Sequence, residues 1–317
     1  MKKLSIIIPV YYNQDNLLPL YNDLREKVLG KLSIGYEIVM VDDGSRDNSY
    51  QVILELAKLD PAIKPVKLSR NFGSHAAILA GLSACTGDCA VMKAADLQEP
   101  SELILDMLDK YNEGSNVVLA IRSDREEPLS QKAFAAIYYS MLRKTALPDM
   151  PKGGFDCFLI DRQVIDVLTR LQEKNTSLMG QIVWCGFATA QVHYVRKKRE
   201  IGRSRWTLRK KIKLVWDSLY GFSYLPIKLI SWIGMASFVT SFIGLAIIIA
   251  ARLMNKIPVA GYAALSVMLL SAFGLIMLSI GVVGEYIWRM FDATRNRPPF
   301  IMETPREPES ASYEIES

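Results

Sequence analysis

"YEIVMVDDGS", residues 36–45, is the stretch whose reading decides the fold. Four apolar residues, Ile38 to Val41, run straight into Asp42, Asp43, Gly44 and Ser45. A short β-rich run that stops on acids and glycine reads as a strand whose carboxyl end opens into a polar loop. The segments on either side repeat that plan. Upstream, "LSIIIPVY" (4–11) is a strand that stops at Pro9. "NLLPLYNDLREKVLG" (16–30) then places Leu17, Leu20 and Leu24 on one helical face and ends at Gly30. Downstream come helix "SYQVILELAKL" (49–59), strand "IKPVKLS" (63–69) and the small-residue helix "GSHAAILAGLSACT" (73–86), which suits close packing on a sheet. Strand "DCAVMKAAD" (88–96), helix "PSELILDMLDKYNEG" (100–114) and strand "SNVVLAIRS" (115–123) complete the series. Strands alternating with helices predict a mostly parallel α/β sheet. Ligands of such sheets lie at the carboxyl ends of the strands. "PVYYNQDN" (9–16), "DDGSRD" (42–47), "SRNFGSH" (69–75) and "ADLQEP" (95–100) all fall there, so four polar loops converge on one edge.

The chain has 317 residues and a net charge of +5, and half of it is apolar, which is more than a simple soluble domain needs. The cysteines, Cys85, Cys89, Cys157 and Cys185, form no zinc-type pair, and His75 and His193 are the only histidines to help, so reduced structural thiols are expected. "MKK" runs directly into a strand, with no room for a signal peptide, so the N-terminal domain is expected in the cytosol.

The excess apolar residues lie near the C-terminus. "LISWIGMASFVTSFIGLAIIIAA" (229–251) and "AGYAALSVMLLSAFGLIMLSIGVVG" (260–284) carry no charge and are each long enough for a bilayer. The turn "RLMNKIP" (252–258) joins them into a hairpin. Cations crowd the flanks, in "RKKREIGRSRWTLRKKIK" (196–213) and "WRMFDATRNR" (288–297), whereas the turn has only Arg252 and Lys256. The positive-inside rule then puts both flanks in the cytosol. Glu285 falls at the cytosolic end of the second span, as an end charge or a group near the headgroups. Before the first span, Leu208, Ile212, Val215, Trp216 and Leu219 recur at helical spacing, with Arg209, Lys210, Lys211 and Lys213 largely off that stripe. This describes a helix lying on an anionic membrane surface. The chain after Pro299 is acidic and rich in Pro and Ser, with the composition of a disordered tail. The expected divisions are a cytosolic domain (1–205), juxtamembrane amphipathic helices (206–228), two membrane helices within 229–288 and a cytosolic tail (289–317).

Five blocks in order, "LSIIIPVYYNQDNL", "EIVMVDDGSRDNS", "LSRNFGSHAAILAGLSACTGD", "ADLQEP" and "RKKREIGRSRW", followed by two apolar spans, resemble the polyprenyl-phosphate glycosyltransferases. These are inverting, GT-A-fold enzymes of glycosyltransferase family 2, such as dolichol-phosphate mannose synthase and the bactoprenol glucosyltransferases. The resemblance reaches from the N-terminus to about residue 300. It implies a multi-pass protein of the inner (plasma) membrane that takes a nucleotide sugar and a polyprenyl phosphate lipid. No nucleic acid is implied, and a homo-oligomer joined through Gly244, Gly274, Gly281 and Gly284 is compatible with it.

The resemblance also assigns residues. Pro9, Tyr11, Asp42, Asp43 and Arg70 fall in the blocks that line the nucleotide-sugar pocket; Tyr11 suits stacking on the base, the aspartates suit base or ribose, and a cation at Arg70 suits the diphosphate. Gln14 stands where the family often has Glu. The family's Asp-x-Asp-x-Gln block places a catalytic metal ligand at Asp96 and a second ligand at Gln98, with Ala94 in place of the first Asp. Mg2+ or Mn2+ keeps waters and uses one or two carboxylates plus substrate phosphates, so one carboxylate and one amide make a workable set. Asp156, in "GGFDCFLIDR" (153–162), matches an Asp near the reacting centre, with Phe158 where many members have Arg. Arg196, Arg199, Ser204 and Arg205 match a block suited to the acceptor phosphate. Two other readings stand beside this one. A processive polysaccharide synthase would normally carry Gln-x-x-Arg-Trp, and "GRSRW" lacks the Gln; a non-catalytic membrane adaptor is favoured only by Ala94.

Overall fold

The structure, a computed structural model, describes residues 2–123, 136, 138–144, 146–171, 177–196, 215–218, 220, 228–230, 232–236, 239–240, 243, 262–295 and 297–303. The first half holds β1 (Lys3–Val10), α1 (Gln14–Lys27), β2 (Gly35–Asp42), α2 (Ser49–Leu59), β3 (Ile63–Lys67), α3 (Ser74–Ala84), β4 (Cys89–Met92), α4 (Leu103–Asn112) and β5 (Val117–Arg122). Then follow β6 (Cys157–Asp161), α5 (Arg162–Arg170), α6 (Leu178–Trp184), β7 (Thr189–Tyr194) and the long α7 (Tyr262–Thr294). The seven strands form one sheet in the order β3-β2-β1-β4-β6-β5-β7. Every described strand is parallel to its neighbours except β6, which pairs antiparallel with both β4 and β5.

The unbroken apolar runs are explained by burial on both faces. Side chains alternate across a strand. Ile6, Ile8 and Met40 therefore join one core cluster with Leu17, Leu20 and Leu24 of α1 and Ile53 of α2. Ile7, Val39 and Val41 join the other with Ala77, Ile78 and Leu82 of α3. Close packing of the small-residue helix is confirmed at Gly81, where an added Cβ would lie 2.4 Å from Ile7 Cγ2.

β1 does not stop at Pro9, as the sequence reading has it; Pro9 pairs with Val41 and the strand runs on to Val10. Proline is tolerated because of its register. Ile7 O accepts from Lys93 N on the β4 side and Val10 O accepts from Asp43 N on the β2 side. By alternation Pro9 faces the β4 side, beyond the last pair, Ile7–Met92, where no ladder bond needs its missing N–H.

At the opposite end of the sheet, Glu37 is buried on β2. It accepts from Ser5 Oγ at 2.6 Å, Thr86 N at 2.6 Å, Thr86 Oγ1 at 3.0 Å and Lys3 Nζ at 2.8 Å. Burial pushes the carboxyl up, but the Lys3 ammonium and these donors outweigh it and hold its pKa down from 4.5 to about 2. A depressed carboxyl stabilises the fold above its unfolded pKa, and that contribution fades as pH falls from about 4.5 towards about 2. Glu37→Gln is therefore expected to cost about 3 kcal/mol at pH 7, and the gap from the parent should close in acid. Urea unfolding of both proteins across pH 2–7 measures this; a constant gap would show that the charge is not the cause.

One helix among the described residues is long and apolar enough to cross a membrane: Ala272–Thr294 of α7, 23 residues of mean hydropathy 1.3, with none of its apolar window buried in protein. Most of the expected first span lies outside the described residues. Its described members Leu229, Trp232, Ile233, Met235, Val239 and Ile243 are helical and exposed. In the expected interfacial segment, residues 215–218 and 220 are helical. The cationic stretch before them, with Arg209, Lys210, Lys211 and Lys213, and the tail after Glu303 fall outside the described residues.

After α7 the chain returns to the sheet domain. Ser69 N donates to Ile301 O at 3.0 Å and Glu303 N donates to Lys67 O at 2.8 Å, on either side of an antiparallel Leu68–Met302 bridge. The carboxyl end of the β3 edge is thereby paired.

Candidate active site

The carboxyl ends of the parallel strands and the amino end of antiparallel β6 lie along one edge. That placement brings Asp156, just before β6, to the same edge as the loops after β1, β2, β3 and β4. The sheet order turns back between β1 and β4, the position where open α/β sheets bind ligands.

The loop after β2 is braced by the loop after β3. Asp43 is buried and accepts from Asn71 Nδ2 at 2.8 Å, Phe72 N at 2.7 Å and Gly73 N at 2.9 Å. Gly44 sits between them at φ +67°, where a Cβ would lie 2.5 Å from Arg70 C. Only glycine meets both the left-handed backbone and the close approach. Asp42 is also buried and accepts from Ser45 N at 3.2 Å; burial raises its pKa. Both aspartates of "DDGS" thus have internal partners that hold the loop's shape. Arg70 remains exposed, with its guanidinium 4.0 Å from the centre of the Phe72 ring. Tyr11 packs edge-on against Tyr12, ring centres 4.7 Å apart. Tyr12 has φ 54°, a backbone state rare for a side chain of its size, and Ser45 Oγ accepts its N–H at 3.0 Å.

The loop after β4 carries the second such backbone, Leu97 at φ 58°. Strained residues of this kind gather at ligand sites when their surroundings hold them. The surroundings are Lys93 and Glu99, which close the loop at both ends. Lys93 Nζ donates to the Glu99 carbonyl and lies 3.8 Å from Glu99 Oε2, with side chains 1% and 3% exposed. Glu99 Oε2 also accepts from Ala94 N at 3.3 Å. Burial pushes the Glu99 carboxyl up, Lys93 opposes this, and Asp96 and Asp156 add to it. The sequence reading missed this pair. The signal was a lysine and a glutamate directly flanking a carboxylate loop.

Asp96 and Gln98 stand on the same loop, where Asp96 Oδ1 accepts from Gln98 N at 3.3 Å. Gln98 Oε1 accepts from the Arg196 guanidinium, which arrives just after β7. Arg196 Nε is buried with no hydrogen-bond partner. Asp156 is held from two sides. Arg122, at the end of β5, donates to it through Nε and, at 2.5 Å, through Nη2; Tyr194 donates its hydroxyl at 3.0 Å. Burial lowers the Arg122 pKa, but Asp156 more than reverses this; burial and the Asp156 charge together raise that of Tyr194. Arg122 and Tyr194 therefore fix the orientation of the Asp156 carboxylate. Sequence reasoning did not find either one.

Among the described residues no three His, Cys, Asp or Glu side chains gather around one point. A divalent cation here would draw on Asp96, Gln98 and oxygens of its ligand. The donor set fits a hard cation such as Mg2+ or Mn2+. The Gln98 oxygen is already presented to a positive group, the Arg196 guanidinium. The structure thus gathers Asp96, Gln98, Asp156 and Arg196 at one edge with Pro9, Tyr11, Asp42, Asp43 and Arg70. Arg199, Ser204 and Arg205 lie outside the described residues.

Comparison with known proteins identifies the family. The profile described as "Glycosyl transferase family 2" matches residues 5–169. The "Uncharacterized glycosyltransferase YkcC" of Bacillus subtilis (strain 168) is 37% identical, covering 94% of this chain and 93% of that one. The "SfII prophage-derived bactoprenol glucosyl transferase" of Shigella flexneri is 33% identical, covering 95% and 97%. The "Prophage bactoprenol glucosyl transferase homolog" of Escherichia coli (strain K12) is 32% identical, covering 95% and 98%. Similarity that spans the sheet domain and the apolar C-terminal part alike leaves one assignment: the chain belongs to glycosyl transferase family 2.

Proposed function

We propose that this glycosyltransferase moves a hexose, with inversion, from a nucleotide sugar to a polyprenyl monophosphate, giving a lipid-linked monosaccharide. UDP-glucose is the favoured donor and undecaprenyl phosphate the favoured acceptor. The observation that carries this reading is the whole-length similarity to the Shigella flexneri protein named a bactoprenol glucosyl transferase.

The chemistry asks little of the protein beyond placement. A phosphate monoester has its second pKa near ~6, so the acceptor is already mostly a dianion at neutral pH. Its oxygen attacks the anomeric carbon; the bond from that carbon to the diphosphate oxygen breaks, and the nucleoside diphosphate leaves with the electron pair. No general base is required, and alignment and charge balance remain. Tyr11 and Pro9 receive the nucleoside, while Asp42 and Asp43 hold the loops around it. Arg70 meets the diphosphate. Asp96 and Gln98 would hold Mg2+ or Mn2+, which would offset charge on the departing diphosphate. Asp156, oriented by Arg122 and Tyr194, positions the sugar or the acceptor phosphate.

Arg196, Arg199, Ser204 and Arg205 receive the acceptor phosphate. They follow the sheet domain and precede the interfacial segment, where a lipid headgroup must arrive. A cation that only attracts anionic lipid contributes about 1 kcal/mol and is screened by salt. Loss of a charge-assisted partner from a desolvated phosphate costs roughly 2–5 kcal/mol. Arg199→Ala and Arg205→Ala are therefore expected to slow transfer about a hundredfold or more with nucleotide-sugar affinity little changed. Lys210→Ala should be mild and its effect should fade with salt. Loss of nucleotide binding in Arg205→Ala, with the lipid KM intact, would move these residues to the donor.

The pairing of Ile301 and Glu303 with Ser69 and Lys67 bears on the proposed membrane topology. That pairing supports a cytosolic exit of α7 on the side of the sheet domain, hence an even number of crossings. Since α7 supplies one, residues 229–251 supply the other. In a chain stripped of native thiols, a cysteine at Asn255 should react with an impermeant reagent from outside, and one at Ser312 should not. The reverse pattern overturns the arrangement.

The test of function is incubation of the full chain with radiolabelled nucleotide sugars and undecaprenyl phosphate. A lipid-linked monosaccharide is expected. A polymer would identify a processive synthase, and no product with any donor would favour an adaptor.

A further inference from the structure

Seven residues after Thr294, the last of α7, the chain is bonded to the sheet at Ile301. Pro298 and Pro299 occupy that connection, and proline fixes φ, so the strap is stiff. Its reach is at most about 24 Å. The far end is secured by more than backbone. Lys67 Nζ and Glu303 Oε2 are 2.7 Å apart, and Phe300 packs against the same core cluster as Phe72 of the donor-edge loop.

A second attachment lies on the way into the membrane. The hydroxyls of Tyr138 and Ser218 are 2.7 Å apart and buried. Beside Ser218, Asp217 accepts from Arg289 of α7 at 3.0 Å. Arg289 also donates to Glu285 at 3.0 Å and stands 5.0 Å from the centre of the Tyr220 ring. The sheet domain is thus fixed to α7 twice, through Asp217, Ser218 and Tyr220 and through residues 300–303 at the carboxyl end of β3. A single attachment would let the domain tilt over the membrane; two at separate places remove that freedom.

We propose that the strap Arg297–Pro299 and the return segment Phe300–Glu303 form a positioning element that sets the height and tilt of the donor edge above the membrane, so that a lipid-borne phosphate meets it in register. The proposal rests on the lipid-acceptor reading. The plainer role, covering the β3 edge for stability, predicts different behaviour, because slack in the strap would then change nothing.

The experiment inserts Gly-Gly-Ser-Gly between Pro299 and Phe300, which keeps the pairing and loosens the strap. A second variant, Glu303→Pro, removes both the N–H given to Lys67 O and the ion pair. Full-length proteins are assayed in phosphatidylethanolamine/phosphatidylglycerol vesicles containing undecaprenyl phosphate. The lipid KM, the nucleotide Kd and the thermal midpoint are read together. The insertion is expected to raise the lipid KM about tenfold with nucleotide Kd and midpoint unchanged. Glu303→Pro should show the same lipid defect. An unchanged lipid KM in the insertion variant overturns the proposal. So does a nucleotide Kd or midpoint that moves in proportion, because that is the mark of a purely structural strand. If the parent protein itself makes no lipid-linked sugar, it is the acceptor reading that fails.

Discussion

Asp96→Ala is expected to lose at least about a thousandfold in transfer, equivalent to about 4 kcal/mol of transition-state stabilisation. The size follows from how little the loop holds in reserve. Ala94 supplies no oxygen, Glu99 is turned inward to Lys93 and Ala94 N, and Asp156 is engaged by Arg122 and Tyr194. Asp96 is the remaining carboxylate of the loop, and without it a divalent cation keeps only the Gln98 amide and the diphosphate. Radiolabelled transfer at several Mn2+ concentrations measures the effect. Isothermal titration of Mn2+ with the nucleoside diphosphate should show weakened metal binding in the same variant. Ala94→Asp, in contrast, should be tolerated and should lower the Mn2+ concentration needed for half-maximal rate. Full activity of Asp96→Ala in saturating chelator would sink the metal reading.

The second large effect is expected from Lys93→Met. It leaves the Glu99 carboxylate buried without its ammonium partner, and breaking a buried pair from one side costs about 3–5 kcal/mol. The loss should depend on pH. Burial already raises the Glu99 pKa, and removing Lys93 raises it further. Above about pH 4.3 the unfolded carboxyl ionises while the folded one, its pKa raised by burial, gives up its proton less readily, so the variant loses stability as pH rises, by at most about 1.4 kcal/mol per pH unit. Lys93→Met should therefore be nearer to the parent at pH 5 than at pH 8. Thermal midpoints of the full chain in detergent test this, with a fall of about 10 °C expected at pH 8. Lys93→Met combined with Glu99→Gln should recover much of the midpoint, because no charge is then stranded. Equal midpoints for the single and double variants would show that the pair does not act as a unit.

The sequence by itself determined the strands and helices up to Arg122 and the edge on which the polar loops meet. Local signals suffice there. A buried parallel strand is a run of apolar residues, its carboxyl end is a turn, and "DDGS", "SRNFG" and "ADLQEP" mark those ends without reference to anything distant. It also offered candidate residues for the site, since Asp96, Gln98 and Asp156 could be matched to a family pattern one position at a time. Its reading of Pro9 as a strand end failed because the cost of proline depends on whether a neighbouring strand needs its N–H, which is a matter of register.

Only the tertiary structure decided the rest. β6, five residues with no polar alternation, is buried throughout and gave no distinct period; its antiparallel insertion between β4 and β5 is what carries Asp156 to the edge where the polar loops meet. Arg122 and Tyr194 reach Asp156 across separations of 34 and 38 residues, and Arg196 reaches Gln98 across 98. Asp42 and Asp43 look like free ligands in a linear reading, yet in space their carboxylates hold the loops together. The return of residues 301–303 to β3 could not be read from a segment whose composition is that of a tail, because its order comes from an exposed strand edge that needed a partner. Local propensity specifies elements, whereas hydrogen-bond partners and ion pairs are settled by chain segments that meet only once the sheet has formed.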